Sequence, residues 1–172
     1  MNNSDRLLTL IRHAKSSWKF PLPDFERPLN KRGKRNAVEL GQWLTANDIH
    51  FEQIVASPAR RTMETATLIT AQIGYPENAI ATDSAIYHAS TTTLLERVRR
   101  FDDRYRNVAL IGHNPGISAL ADLLLDTPLA EDMRTCACAQ MRFSGADWSA
   151  IEAHSAELVF FRDPKSGDPL MP

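Results

Sequence analysis

The sequence predicts a single three-layer α/β/α sandwich, residues 1–172, built around a mostly parallel central sheet. Three observations lead there. Short apolar, β-branched runs alternate with amphipathic stretches from one end of the chain to the other. Its 172 residues suit one domain, and 43% hydrophobic content is enough to fill a core. No internal repeat or low-complexity linker divides it.

Taken in order, Leu7 to Arg12 is an apolar run that reads as the first strand. The segment Lys15 to Leu29 follows, with three prolines and the aromatics Trp18, Phe20 and Phe25, and reads as an ordered loop. Ala37, Leu40 and Leu44 recur at helical spacing in a segment starting near Lys31. Gln53 to Ala56 is the second strand. Met63, Ala66, Ile69 and Ile73 mark a second helix, which Gly74 can stop. Ala79 to Tyr87 is a weaker strand. Leu94, Val98 and Phe101 outline a third helix, Val108 to Gly112 a strand, and Ile117, Leu120, Ala121 and Leu124 a fourth helix. Ala139 to Ser144 and Glu157 to Arg162 complete the strands, and the tail after Asp163 reads as extended. Ser57-Pro58 and Asn114-Pro115 each read as an N-cap before a proline at the first helical position, directly after a strand. Such a helix start can turn its backbone N–H groups toward an anion.

Composition excludes several function classes. Twenty basic residues against 21 acidic ones give a net charge of −1, which argues against a general nucleic-acid binder. The basic runs Lys31 to Arg35 and Arg97 to Arg100 read as solvated helix faces. No apolar stretch approaches the roughly 18 to 20 residues of a membrane span, and the amino terminus does not read as a signal peptide. A cytoplasmic protein is expected. Cys136 and Cys138, one residue apart, would face opposite sides of a strand, which suits neither a disulfide nor a shared metal; no metal is expected.

The chemistry gathers at three strand ends. The first ends in Arg12-His13, the second runs into Ser57-Pro58-Ala59-Arg60-Arg61-Thr62, and a third ends in Gly112-His113-Asn114. Ligands of parallel α/β sheets bind outside the carboxyl ends of strands, so these residues converge on one edge. Arginine donates paired hydrogen bonds to phosphate oxygens and keeps its charge at any relevant pH. A neutral imidazole can attack phosphorus and form a phosphohistidine that water then hydrolyses. Arg60 and Arg61 are adjacent and point about 100° apart on a helix, so only one need face the ligand.

Leu10-Ile11-Arg12-His13-Ala14-Lys15-Ser16-Ser17-Trp18, Asp24-Phe25-Glu26-Arg27-Pro28-Leu29-Asn30-Lys31-Arg32-Gly33, Ser57 to Thr62 and Gly112-His113-Asn114 together resemble the histidine phosphatase (phosphoglycerate mutase-like) superfamily, and within it the short SixA-type phosphohistidine phosphatases. The resemblance implies a metal-independent phosphohydrolase with no cofactor. It implies His13 as nucleophile, Arg12 and Arg60 as phosphate-binding arginines, and His113 as the second histidine. Ser57 and Arg27 join the substrate-binding candidates, although Arg27 can equally serve to pin its own loop. Ala14 stands where the superfamily more often has glycine.

Mutase-type and acid-phosphatase-type relatives present a carboxylic acid after the second arginine or the second histidine. Here those places read Asp83-Ser84-Ala85-Ile86-Tyr87-His88 and Asn114. An alkoxide needs a proton as it leaves, whereas an imidazole leaving a phosphoramidate needs less help. The gap therefore favours phosphohistidine or activated esters over sugar phosphates; the expected partner is a phosphohistidine-bearing protein, such as a phosphotransfer domain, or a small phosphorylated substrate. Asp83, His88 and Asp24 remain as proton-transfer candidates. A small-molecule phosphomonoesterase and a non-catalytic phosphoprotein-binding module are the alternatives. Trp18, Phe20 and Phe25 either form a rim for docking a protein substrate or pack down their own loop.

Overall fold

A computed structural model describes residues 5–145 and 147–165. Among them are six strands in one sheet: β1 (Arg6–Arg12), β2 (Gln53–Ala56), β3 (Ala81–Thr82), β4 (Asn107–Gly112), β5 (Cys138–Phe143) and β6 (Glu157–Arg162), in the order β3-β2-β4-β1-β5-β6. β1, β2, β3 and β4 run parallel, β5 is antiparallel to β1, and β6 turns back beside β5. Four α-helices cover the sheet: α1 (Lys31–Ala46), α2 (Arg60–Ile73), α3 (Thr91–Val98) and α4 (Gly116–Leu124).

Strand alternation divides the core into two layers. Leu8, Leu10, Val108 and Leu110 pack with Leu94 and Val98 of α3 and Ile117, Leu120 and Leu124 of α4. Ile11, Ile54, Ala109 and Ile111 pack with Ala37, Leu40 and Leu44 of α1 and Ala66 and Ile69 of α2. The expected sandwich is present. The tail beyond Asp163 falls largely outside the described residues, which end at 165.

Several local expectations change. Ala79 to Tyr87 is not one strand: only Ala81–Thr82 pairs, between two single 3₁₀ turns. Asp83 breaks the run, because its side chain accepts from the Ala85 N–H and caps the second turn. α2 begins two residues later than its Ser-Pro pair suggested, at Arg60, and α4 one residue later than its Asn-Pro pair suggested, at Gly116. Ser57 and Asn114 are thereby released from capping. Cys136 precedes β5 and has a positive φ of 68°, so strand alternation does not apply to it. Both cysteines pack unpaired into the same apolar layer. Burial pushes the Cys136 thiol up to about 12 and the Cys138 thiol higher still.

Two close approaches fix the segments that will matter below. The N-cap Asn30 accepts from the Gly33 N–H, and a Cβ at Gly33 would stand 2.2 Å from the Lys15 carbonyl oxygen. The start of α1 is thus laid directly on the segment after β1. At the head of α4, a Cβ on Gly116 would stand 2.6 Å from the Ala89 carbonyl oxygen, so the turn at residues 87–89 is seated on that helix.

Candidate active site

The carboxyl ends of β1, β2 and β4 bring His13, Ser57 and His113 together under the first turn of α2. The two imidazoles are buried, with ring centroids 5.1 Å apart. Their hydrogen bonds select one tautomer each. His13 Nδ1–H donates to the Ala14 carbonyl at 2.8 Å, leaving the Nε2 lone pair to accept from Arg61 Nε at 3.3 Å. His113 Nδ1 accepts from Arg61 Nη2 at 3.2 Å, so its Nε2–H donates to Ser57 Oγ at 2.8 Å, with Thr62 Oγ1 at 3.3 Å. One guanidinium therefore touches both lone pairs.

Desolvation by burial is the largest influence on both histidines and holds them neutral. The His13 value falls to about 4; the bond to the Ala14 carbonyl works against the fall, and Arg61, Arg12 and Arg27 add to it. The His113 value falls to about 3, with His13, Arg61 and His88 assisting and Asp24 opposing. A neutral imidazole whose lone pair can be freed from its donor is the form a nucleophile requires.

Arg61, not Arg60, is the arginine of this site. Its side chain is 3% exposed, whereas that of Arg60 is 54% exposed and pairs with Glu64 through Nε at 2.8 Å. The helix register places Arg60, expected beside the phosphoryl group, outside the imidazole cluster and Arg61 within it. The row Arg61, Thr65, Ile69 lies on the inner face of α2, all three buried, while Arg60 and Glu64 form an i,i+4 pair outside. That row was readable: stepping back from Ile69 by four and four reaches Arg61. Arg60 acts at one remove, because Glu64 also accepts the Leu29 N–H at 2.8 Å and ties the loop to α2.

Thr62 and Thr65, which sequence reasoning passed over, complete the floor. Thr65 Oγ1 donates to the Arg61 carbonyl at 2.7 Å and accepts from the Ala14 N–H at 3.0 Å, so α2 grips the residue next to His13.

Arg12 leaves the end of β1 and donates to the Met133 carbonyl at 2.9 Å; its Nε is buried without a partner. Asn114 donates to the same carbonyl at 3.1 Å and accepts from Ser118, whose Oγ accepts from the Met133 N–H. Asn114 thus supports the loop that holds Arg12. Arg27 is buried, pairs with Asp24 Oδ1 at 2.9 Å, and keeps its Nε and Nη1 unpartnered. Trp18 lies over it, 3.5 Å from ring centre to guanidinium carbon.

The three proton-transfer candidates separate. Asp83 pairs with Arg97 and caps its turn, and takes no part in the imidazole network. Asp24 Oδ2 accepts from Arg61 Nη2 at 3.0 Å, the Tyr87 hydroxyl at 2.7 Å and His88 Nε2 at 3.2 Å. Burial alone would raise the Asp24 value, but Tyr87, Arg61 and His88 together hold it well below the usual carboxylate range. Asp24 is an ionised hub with no proton to give. His88 stands at the mouth, bonded to that hub.

Two wide depressions lie elsewhere. One of about 740 Å³ sits between the loop around Leu129 and β6, and one of about 720 Å³ lies outside Arg60 on α2. Neither contains an imidazole, and convergent chemistry locates the site better than concavity does.

Residues 8–85 match the model of the histidine phosphatase superfamily (branch 1). An uncharacterized protein of Mycobacterium tuberculosis is 32% identical over 166 residues, which span 90% of this chain and all of that one. The chain belongs to the histidine phosphatase superfamily. Its fold is shared with a structure of the protein histidine phosphatase SixA complexed with tungstate, at TM-score 0.80 and 15% identity over 94% of this chain and 99% of that one. A mycobacterial glucosyl-3-phosphoglycerate phosphatase superposes at TM-score 0.63 and 19% identity, over 90% and 97%. This superfamily member therefore has solved neighbours whose names carry either a protein or a sugar-phosphate substrate, on one architecture.

Proposed function

We propose that this protein is a phosphohistidine phosphatase working through a covalent phosphohistidine at His13, with Arg12, Arg27, Arg61 and His113 binding the phosphoryl oxygens. The observation that carries the reading is Arg61 spanning the lone pairs of His13 Nε2 and His113 Nδ1. An entering phosphoryl oxygen replaces those lone pairs as the acceptor, which frees Nε2 to attack phosphorus. The unpartnered donors of Arg12 and Arg27 supply further hydrogen bonds, and three guanidinium charges outnumber the carboxylates near them, Asp24 beside Arg27 and Arg61 and Asp132 near Arg12, which suits an anion.

The steps follow from those atoms. His13 Nε2 forms a bond to phosphorus while the bond from phosphorus to the leaving nitrogen breaks. Water then attacks the phosphoryl group, the His13–phosphorus bond breaks, and His13 returns as a neutral imidazole with inorganic phosphate released. The developing negative charge on the equatorial oxygens rests against Arg61, and against His113 once its proton stands on Nδ1 with the Ser57 hydroxyl turned to donate to Nε2. The substrate we favour is a phosphohistidine on another protein, because an imidazole leaving a phosphoramidate needs less proton help than an alkoxide and the one carboxyl group bonded to Arg61, Asp24, is held ionised. Two buried free thiols accord with a reducing, cytoplasmic setting. The second reading, a phosphomonoesterase for small molecules, draws on the sugar-phosphate neighbour of the same fold.

Phosphate release is measured from a phosphohistidine peptide and from an aryl phosphate, in EDTA, for wild type and His13→Ala. Turnover that survives EDTA and disappears in the variant, with the phosphohistidine peptide preferred, is the expected result. Preference for the aryl phosphate favours the second reading. Phosphate-dependent binding without turnover, retained in His13→Ala, replaces both with a binding module.

A further inference from the structure

We propose that His88, oriented by Asp24, is the proton donor to the leaving group. The proposal rests on the phosphatase reading above and adds the one group that reading lacks. His88 has a positive φ of 52°, a conformation uncommon outside glycine though less so for histidine, and such outliers gather at functional sites. The turn is not free to wander. Ala89 is seated against Gly116 at the head of α4, and Ile86 lies against Gly112 at the end of β4. The αL kink delivers the imidazole to the mouth of the pocket, its ring 4.2 Å from Tyr87 and 5.9 Å from His113 by centroids.

The groups that face His88 are few and have distinct duties. Asp24, from the loop before α1, takes the His88 Nε2–H at 3.2 Å and is ionised. Tyr87 donates its hydroxyl to the same oxygen, and burial followed by Asp24 raises its own value, so it stays protonated. Arg61 of α2 binds that oxygen from the far side, and His113 at the end of β4 is held neutral. With Nε2 turned to Asp24, Nδ1 is the remaining nitrogen of His88, and the ring is 61% exposed where a departing group must pass. One carboxylate thus braces the phosphoryl-binding arginine and the proton donor at once.

The proton balance closes. As His13 Nε2 bonds to phosphorus, the bond from phosphorus to the leaving atom breaks, and the leaving atom takes the proton from His88 Nδ1. Neutral His88 then accepts a proton from the attacking water as the His13–phosphorus bond breaks, and the cycle ends with His88 protonated again. An acid of this kind matters in proportion to the basicity of the leaving group. It is of little use to an imidazole leaving group and of much use to an alkoxide.

The test is a leaving-group series: p-nitrophenyl, phenyl and glycerol phosphates with wild type, His88→Gln and His88→Ala, each variant first checked for an unchanged thermal midpoint. The expected result is a loss in kcat/KM of about 100-fold on glycerol phosphate, under about 5-fold on p-nitrophenyl phosphate, and partial rescue by added imidazole. An equal loss on all three esters, or no loss, overturns the proposal and leaves the phosphatase reading standing. So does a wild type that cleaves a phosphohistidine peptide and no ester at all. A wild type inactive on every substrate overturns both.

Discussion

The floor and the rim of this site are built on opposite terms. The floor, comprising His13, His113, Ser57, Arg61 and Thr62, is buried at strand ends and the head of α2, and its imidazole nitrogens all have named partners. The rim, from Trp18 to Phe25, exposes Trp18, Phe20, Leu22 and Phe25 and closes on itself through Ser17 N–H to the Pro28 carbonyl at 2.8 Å. Under the proposed function the floor sets what happens at phosphorus, and any side chain lost there leaves a buried polar group unpaired. The exposed rim side chains Trp18, Phe20 and Leu22 would be the first to meet a substrate. Arg27 and Asp24 join the two, reaching inward from the loop to the arginine cluster.

That contrast is most sharply broken by exchanging the neighbouring arginines. Arg61→Ala is expected to lower kcat/KM by about 100- to 1,000-fold and Arg60→Ala by less than about threefold, measured on a common substrate. Equal losses would mean that the register of α2 does not select the arginine.

Support beneath the floor comes next. Gly33→Ala drives a methyl group into the Lys15 backbone and is expected to remove about 2 to 3 kcal/mol of stability in urea unfolding. Gly74→Ala, at a helix end with open space around it but a φ of 70°, should cost about 1 kcal/mol.

Acid offers a third test. Because folding lowers the proton affinity of His13 and His113, their neutral forms contribute stability that is complete above the unfolded value near 6.5 and is lost as the pH falls toward about 4 for His13 and about 3 for His113. The thermal midpoint should therefore drop through that window. His113→Gln should flatten the drop, and a variant with the wild-type slope would count against two neutral buried imidazoles.

The rim gives the smallest effect. Phe20→Ser is expected to change stability by less than about 0.5 kcal/mol in the same urea assay. A larger loss would show that the exposed aromatics brace the floor after all.

Sequence reading reached the floor more easily than the rim for a physical reason. The apolar runs Leu7–Arg12 and Val108–Gly112 had to be buried strands, and the residues that end them had to lie at one sheet edge. The placement of Arg61, rather than Arg60, beside the imidazoles was missed because the motif was read without carrying the helical row back from Ile69. The short β3 was misread because Asp83 turns a strand-like run by a single side-chain bond to the Ala85 N–H. Tyr87 and His88 lie 63 and 64 residues from Asp24 in the chain, and no local pattern announces that one carboxylate oxygen will gather them.

The bond from His13 to the Ala14 carbonyl has a consequence for the proposed covalent intermediate. With Nδ1 committed to the main chain, the proposed reaction can form only one of the two regioisomers, the one substituted at the nitrogen farther from the backbone. Trapped intermediate should react with reagents that recognise that isomer and be silent to those that recognise the other. A single peptide carbonyl thereby sets the chemical signature by which this protein would be found in a mixture of phosphorylated histidines.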